Sequence, residues 1–195
     1  MQTQTVNNVP NNTASKRVIS SVAIVTALVS FTMLFATLML GFTIYRLTSP
    51  VWPPQGMRRP DLFLPMLSTI IIGLSSLIFY KFENALKNKE LKLPYLITTI
   101  ALGAGFMVAQ FIFWQSLKAQ GIFVSSGLYP SIIYAFTWIH AAHVVAAFFM
   151  LIWLYAKLQK ETELEMQILR TENVGKFWHF LGIVWLIMFI TIFIL

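Results

Sequence analysis

Five long apolar runs, set apart by short charged or proline-rich stretches, limit what this chain can fold into. They cover residues 18–45, 62–82, 95–118, 131–157 and 177–195. A helix needs about 20 apolar residues to cross a hydrocarbon core about 30 Å thick. No charge lies between Arg17 and Arg46. In hydrocarbon every backbone polar group must be paired internally, and barrel strands are about half this long and alternate in polarity. The runs therefore predict an all-α membrane protein: a bundle of five transmembrane helices forming one domain over residues 18–195, behind a polar tail at 1–17.

Composition agrees. The 195 residues are 57% hydrophobic and 11% charged, about half the charged share of a soluble domain. The absence of cysteine excludes disulfides, thiolate metal sites and iron–sulfur clusters. The net charge of +7 does not point to nucleic acid, because no basic stripe interleaved with aromatics occurs. Basic residues gather between the runs. Lys16 and Arg17 precede the first, Lys81, Lys87, Lys89 and Lys92 follow the second, and Lys157, Lys160, Arg170 and Lys176 follow the fourth. The other side holds Arg46, Arg58, Arg59 and Lys118. The positive-inside rule then places the N-terminus in the cytoplasm and the C-terminus in the periplasm.

Residues 1–15 lack an apolar signal core and imply a solvated cytoplasmic tail and an uncleaved first helix. Tyr45, Trp52, Tyr80, Tyr95, Trp114, Tyr129, Trp153, Tyr155 and Trp178 fit interfacial belts. Pro50, Pro53, Pro54 and Pro60 suggest an extended strap over residues 49–60. Residues 157–176 suggest a solvated helix extension with pairs such as Lys157–Glu161, or a docking surface for a partner.

The polar residues inside the runs are few. His140 and His143 lie roughly 10 and 13 residues into the fourth run, near mid-bilayer at about 1.5 Å per residue, on one helix face. Ionisable groups at that depth usually face the bundle interior. Two histidines on one face cannot ligate opposite sides of a haem, and His179 starts the fifth run at a different depth. A di-iron site needs Glu-x-x-His motifs on two helices, which are absent. These histidines therefore point to packing or lipid contact. Glu83 suggests a solvated interfacial carboxylate beside Lys81. Gln110 and Gln115 are candidates for bonds across helices, and Gly73, Gly103, Gly105, Ala141, Ala142, Ala146 and Ala147 for close helix contact. No catalytic constellation is visible.

Four stretches, in order, resemble subunit III of the haem–copper oxidases. They are Trp52-Pro-Pro-Gln-Gly56 with residues 64–76, Leu102-Gly-Ala-Gly-Phe-Met-Val-Ala-Gln110, Thr137-Trp-Ile-His-Ala-Ala-His-Val144 and Phe177-Trp-His-Phe-Leu-Gly-Ile-Val-Trp185. The resemblance covers nearly the whole chain from Val18 and fits shorter bacterial members of five helices. Phe31, Phe113 and Gly182 stand where that family carries intramembrane carboxylates, which marks a divergent branch.

The resemblance implies an accessory subunit without its own redox centre, in a proton-pumping respiratory terminal oxidase that reduces O2. Haem and copper would reside in partner subunits. Subunit I would be the direct partner in a bacterial inner membrane, alongside subunit II, with phospholipid bound and membership of a supercomplex left open. The matching positions His140, His143, His179, Trp178 and Trp185 would be packing or lipid-contact residues. Cytochrome c is the expected donor. The alternatives are the accessory subunit of a quinol oxidase or nitric oxide reductase and, from a different class, a small transporter, which would carry flux alone.

Overall fold

The structure, a computed structural model, describes residues 12–54, 60–160 and 163–194. Its helices are α1 (Asn12–Thr48), α2 (Phe63–Lys87), α3 (Leu93–Ala119), α4 (Leu128–Leu158) and α5 (Leu164–Phe189), which runs into a π-helical turn at Ile190–Ile194. All five are long and apolar enough to cross a membrane, and no strand occurs among the described residues.

Helices α2, α3, α4 and α5 pack in sequence, and α5 returns to α2, closing a ring. Helix α1 lies outside it, mainly against α5, and its most apolar window is only 6% buried. The seam between α1 and α4 is filled by rings. Phe31 and Phe35 meet His143, Phe35 also meets His140, and Phe42 meets Phe136. On α1, Ser30, Thr32, Thr37 and Thr43 each donate to the carbonyl four residues earlier at 2.8–3.0 Å. Their hydroxyls are thus satisfied without water, as hydrocarbon requires.

Two helix ends show how turns are chosen. After α3, the Ile122 N–H donates to the Leu117 carbonyl and the Gly121 N–H to Lys118, a Schellman closure with glycine in the left-handed region at φ 75. After α2 the same closure joins Glu90 to Ala85 and Lys89 to Leu86, but the left-handed position is Lys89, at φ 63. A side chain there costs about 1–2 kcal/mol. Lys89→Gly is therefore expected to raise unfolding stability by up to about 1 kcal/mol, read by denaturant titration in micelles; an unchanged midpoint would refute the strain.

Several expectations need correction. Helix α5 begins at Leu164, well before residue 177, and α1 at Asn12, within the expected tail. The segment before Phe177 is not wholly solvated: Leu169, Thr171 and Val174 are buried, Arg170 lies 5.8 Å from the Trp153 ring, and Lys87 pairs with Glu172 at 3.0 Å. Glu161 lies outside the described residues, as do residues 55–59 of the strap and residues 1–11 of the tail. The described start of the strap folds inward: Trp52 packs on Phe42, Tyr45 and Tyr129, under Arg46 at 5.5 Å. Trp178 and Tyr129 are buried and do not belong to an interfacial belt.

Candidate functional site

The interior polar groups are arranged as rungs between helices. Trp178 and Trp185, two turns apart on α5, are buried and face α2. The Trp178 indole N–H donates to Ser75 Oγ at 3.2 Å, and that hydroxyl donates to the Thr99 carbonyl of α3. The Trp185 indole N–H donates to Thr69 Oγ1 at 3.0 Å. Beside it, Gln110 Nε2 of α3 donates to Ser68 Oγ at 3.0 Å. Without a hydrophobic drive between helices in lipid, such bonds and close packing hold the bundle. Gly103 shows the closeness: a Cβ there would lie 2.8 Å from the Trp178 ring. Gly73 and Gly105, expected at close contacts, would meet nothing within 4 Å. Gln115 is exposed.

The three histidines occupy three different surroundings. His140 is fully buried, against Trp185 at 5.3 Å, Phe106 at 6.0 Å and Phe35 at 6.1 Å between ring centroids. Neither of its ring nitrogens has a hydrogen-bond partner among the described residues. His143 faces the α1 seam, 4.6 Å from Phe31. Its Nδ1 lies 2.7 Å from the Ile139 carbonyl; a carbonyl only accepts, so Nδ1 carries the proton. His179 joins α5 to α2: Nδ1 meets the Ser76 hydroxyl, and Nε2 stands 3.6 Å from a Glu83 carboxylate oxygen. With a carboxylate on that side, the Nε2–H tautomer is favoured and Ser76 donates to Nδ1. His179 precedes Trp185 by six residues, about 9 Å along the helix, so it does not converge with His140.

Glu83 is not the solvated carboxylate expected. It lies within α2, its side chain is only 12% exposed, and it sits over the backbone of Gly175, where a Cβ would overlap its carboxylate. Phe31 packs on Phe177 as well as His143, and Phe113 is buried against Phe193 at 5.7 Å. Gly182 lines a groove between α2 and α5. The row Ser68, Thr69, Ser75 and Ser76 on α2 and the notch at Gly175 were missed by sequence reasoning. The signal was available: two pairs of hydroxyls seven apart on α2, opposite two tryptophans seven apart on α5.

His140 gives a direct test. A buried polar group without a partner costs about 1–3 kcal/mol, so His140→Phe is expected to leave thermal stability unchanged or raise it slightly. A loss above about 2 kcal/mol would mean that the imidazole bonds something of importance.

Among the described residues no group of three or more His, Asp or Glu side chains could hold a metal ion. Fold and interior together define a multi-pass membrane bundle whose polar groups join its own helices. The family model described as Cytochrome c oxidase subunit III matches residues 10–195. The chain is 28% identical to "Cytochrome c oxidase subunit 3" of Synechocystis sp. over 176 residues, 88% of this chain and 74% of that protein. It is 25% identical to the protein of the same name from Thermostichus vulcanus, over 86% of this chain and 83% of the relative. A "Probable cytochrome c oxidase subunit 3" of Rickettsia prowazekii is 33% identical over 74% of this chain and 53% of that protein. The chain belongs to the cytochrome c oxidase subunit III family. Its role is that of a third subunit of a respiratory terminal oxidase, acting with other oxidase subunits in a membrane.

Proposed function

We propose that this chain carries no redox centre and acts as an accessory subunit packed directly on subunit I, the partner holding the haems and copper. In this reading it stabilises that catalytic core and holds phospholipid. It lies in a bacterial inner membrane with its N-terminus cytoplasmic and its C-terminus periplasmic, and cytochrome c supplies the electrons. His140, His143, His179, Trp178, Trp185, Glu83 and Gln110 serve the packing of the bundle. The observation that carries the reading is the surroundings of His140: Phe35, Phe106 and Trp185 wall the imidazole, while the other two histidines point to separate neighbours. An interior built this way supports a scaffold.

The test is a mild-detergent pull-down of the tagged chain with an absorption spectrum of the eluate. An a-type haem spectrum is expected, with this chain separable from it as a colourless band. A colourless eluate of this chain alone would refute the reading and favour a transporter. A pigmented chain, separated from all partners, would refute the absence of a redox centre.

A further inference from the structure

A groove of about 350 Å³ opens between α2 and α5. Thr69, Gly73 and Ser76 lie on its α2 wall, and His179, Gly182 and Leu186 on its α5 wall. The two walls are tied at one end by Trp185 to Thr69 and at the other by His179 to Ser76, so the helices run antiparallel here. Gly73 and Gly182, each three residues from the second tie, therefore face each other. A Cβ on Gly73 would meet nothing within 4 Å, and one on Gly182 only Ile72 at 3.9 Å. The middle of the groove is a slot between two bare backbones, which suits a flat body.

The two ends offer a ligand different things. The Thr69 hydroxyl is satisfied: it donates to the Pro65 carbonyl at 2.8 Å and accepts from Trp185. Ser76 is only half satisfied. Its O–H is directed to His179 Nδ1, and its oxygen accepts nothing among the described residues. Glu83, 3.6 Å from His179 Nε2, favours the proton on that nitrogen, so Nδ1 stays an acceptor and Ser76 donates to it. The groove then presents a hydroxyl oxygen that can only accept, and a ligand has to bring an O–H. Depth limits the choice further. Ser76 lies five residues from Lys81 toward the middle of α2, about 7.5 Å along the helix. A charged headgroup is expensive at that depth, and the Glu83 carboxylate behind His179 would repel an anion. A flat, uncharged, lipid-soluble molecule with a ring hydroxyl is a hydroquinone.

We propose that this groove binds a membrane hydroquinone, with one ring hydroxyl donating to Ser76 Oγ and the ring between Gly73 and Gly182. Its volume and its apolar wall with few placed polar groups are those of a small-molecule site, for which about 300–1,000 Å³ is usual. The oxidised quinone carries carbonyls, which only accept, and finds no donor at Ser76. The groove therefore selects the reduced form. The site retains the carrier and no electron transfer is assigned to it, so its failure leaves the subunit assignment untouched.

The experiment is equilibrium dialysis of the purified full chain in mild detergent against decylubiquinol, kept reduced under argon, and in parallel against decylubiquinone. One quinol per chain is expected, held about tenfold more tightly than the quinone, the worth of one hydrogen bond. Ser76→Ala should weaken quinol binding about tenfold and leave the quinone unchanged. Gly182→Leu, which fills the slot, should abolish binding of both. An equimolar amount of phosphatidylglycerol should not displace the quinol. No saturable quinol binding, equal affinity for the two forms, wild-type binding by either variant, or displacement by the phospholipid would each overturn the proposal. Ser76→Ala removes one partly exposed oxygen, so it tests the site even if Gly182→Leu folds poorly.

Discussion

Replacing Trp185 with alanine is expected to destabilise the bundle by about 3–5 kcal/mol, the range for deleting a large buried aromatic. The indole is fully buried, stacks near His140, meets Phe106 edge-on at 5.2 Å and donates to Thr69. Lipid cannot refill the cavity, which lies inside the ring. The loss is one of packing more than of transfer from water, because hydrocarbon surrounds the unpacked helices too. Trp185→Phe separates the two contributions. It keeps much of the ring and removes the bond to Thr69, and should cost about 0.6–1.7 kcal/mol for that bond plus a smaller cavity. Unfolding in mixed micelles measures both. An alanine variant within about 1 kcal/mol of wild type would show that α5 does not depend on this rung.

The second large effect is at Gly175. A methyl group there would overlap the Glu83 carboxylate and approach Phe79 Cε1 to 2.7 Å. Gly175→Ala is expected to cost about 1–3 kcal/mol, as overpacking usually does, and Gly175→Leu more. Glu83→Ala in the alanine background should return part of that loss, because it removes the nearest obstacle. A coupling of about 1 kcal/mol or more is expected in the double-mutant cycle. Strict additivity of the two changes would refute direct contact between Glu83 and the α5 backbone.

The number of helices was legible because a bilayer admits so few solutions: long apolar runs have to be helices. Their ends were less legible. The segment before Phe177 carries Glu165, Arg170, Glu172 and Lys176, so hydropathy ends the helix there. A helix can nevertheless continue outside hydrocarbon, and this one buries Leu169 and Val174. The histidine pair was half legible. Three residues along a helix leave two side chains about 60° apart, which read as one face. At the edge of a closed ring that angle puts His140 inside and His143 on the seam. Glu83 and Trp178 were misplaced for a non-local reason. Each lies near charge in the chain, and each is drawn inward by a glycine on another helix, Gly175 and Gly103 respectively. Hydropathy along one segment contains no trace of such a partner.

The position of α1 bears on how the protein is made. Its main neighbour is α5, four helices further on, while α2 to α5 close on one another without it. Synthesis therefore delivers α1 before the helix that is its main neighbour. Until α5 has been inserted, α1 has the aromatic seam with α4 but lacks its main neighbour. Its outer residues suit that wait: apolar side chains such as Val22, Val25, Val29 and Met33 face outward, and its hydroxyls bond to its own backbone. Docking is then completed when α5 presents Phe177 to Phe31 and Asn173 to Ser20, beside the ring contacts that α1 makes with α4.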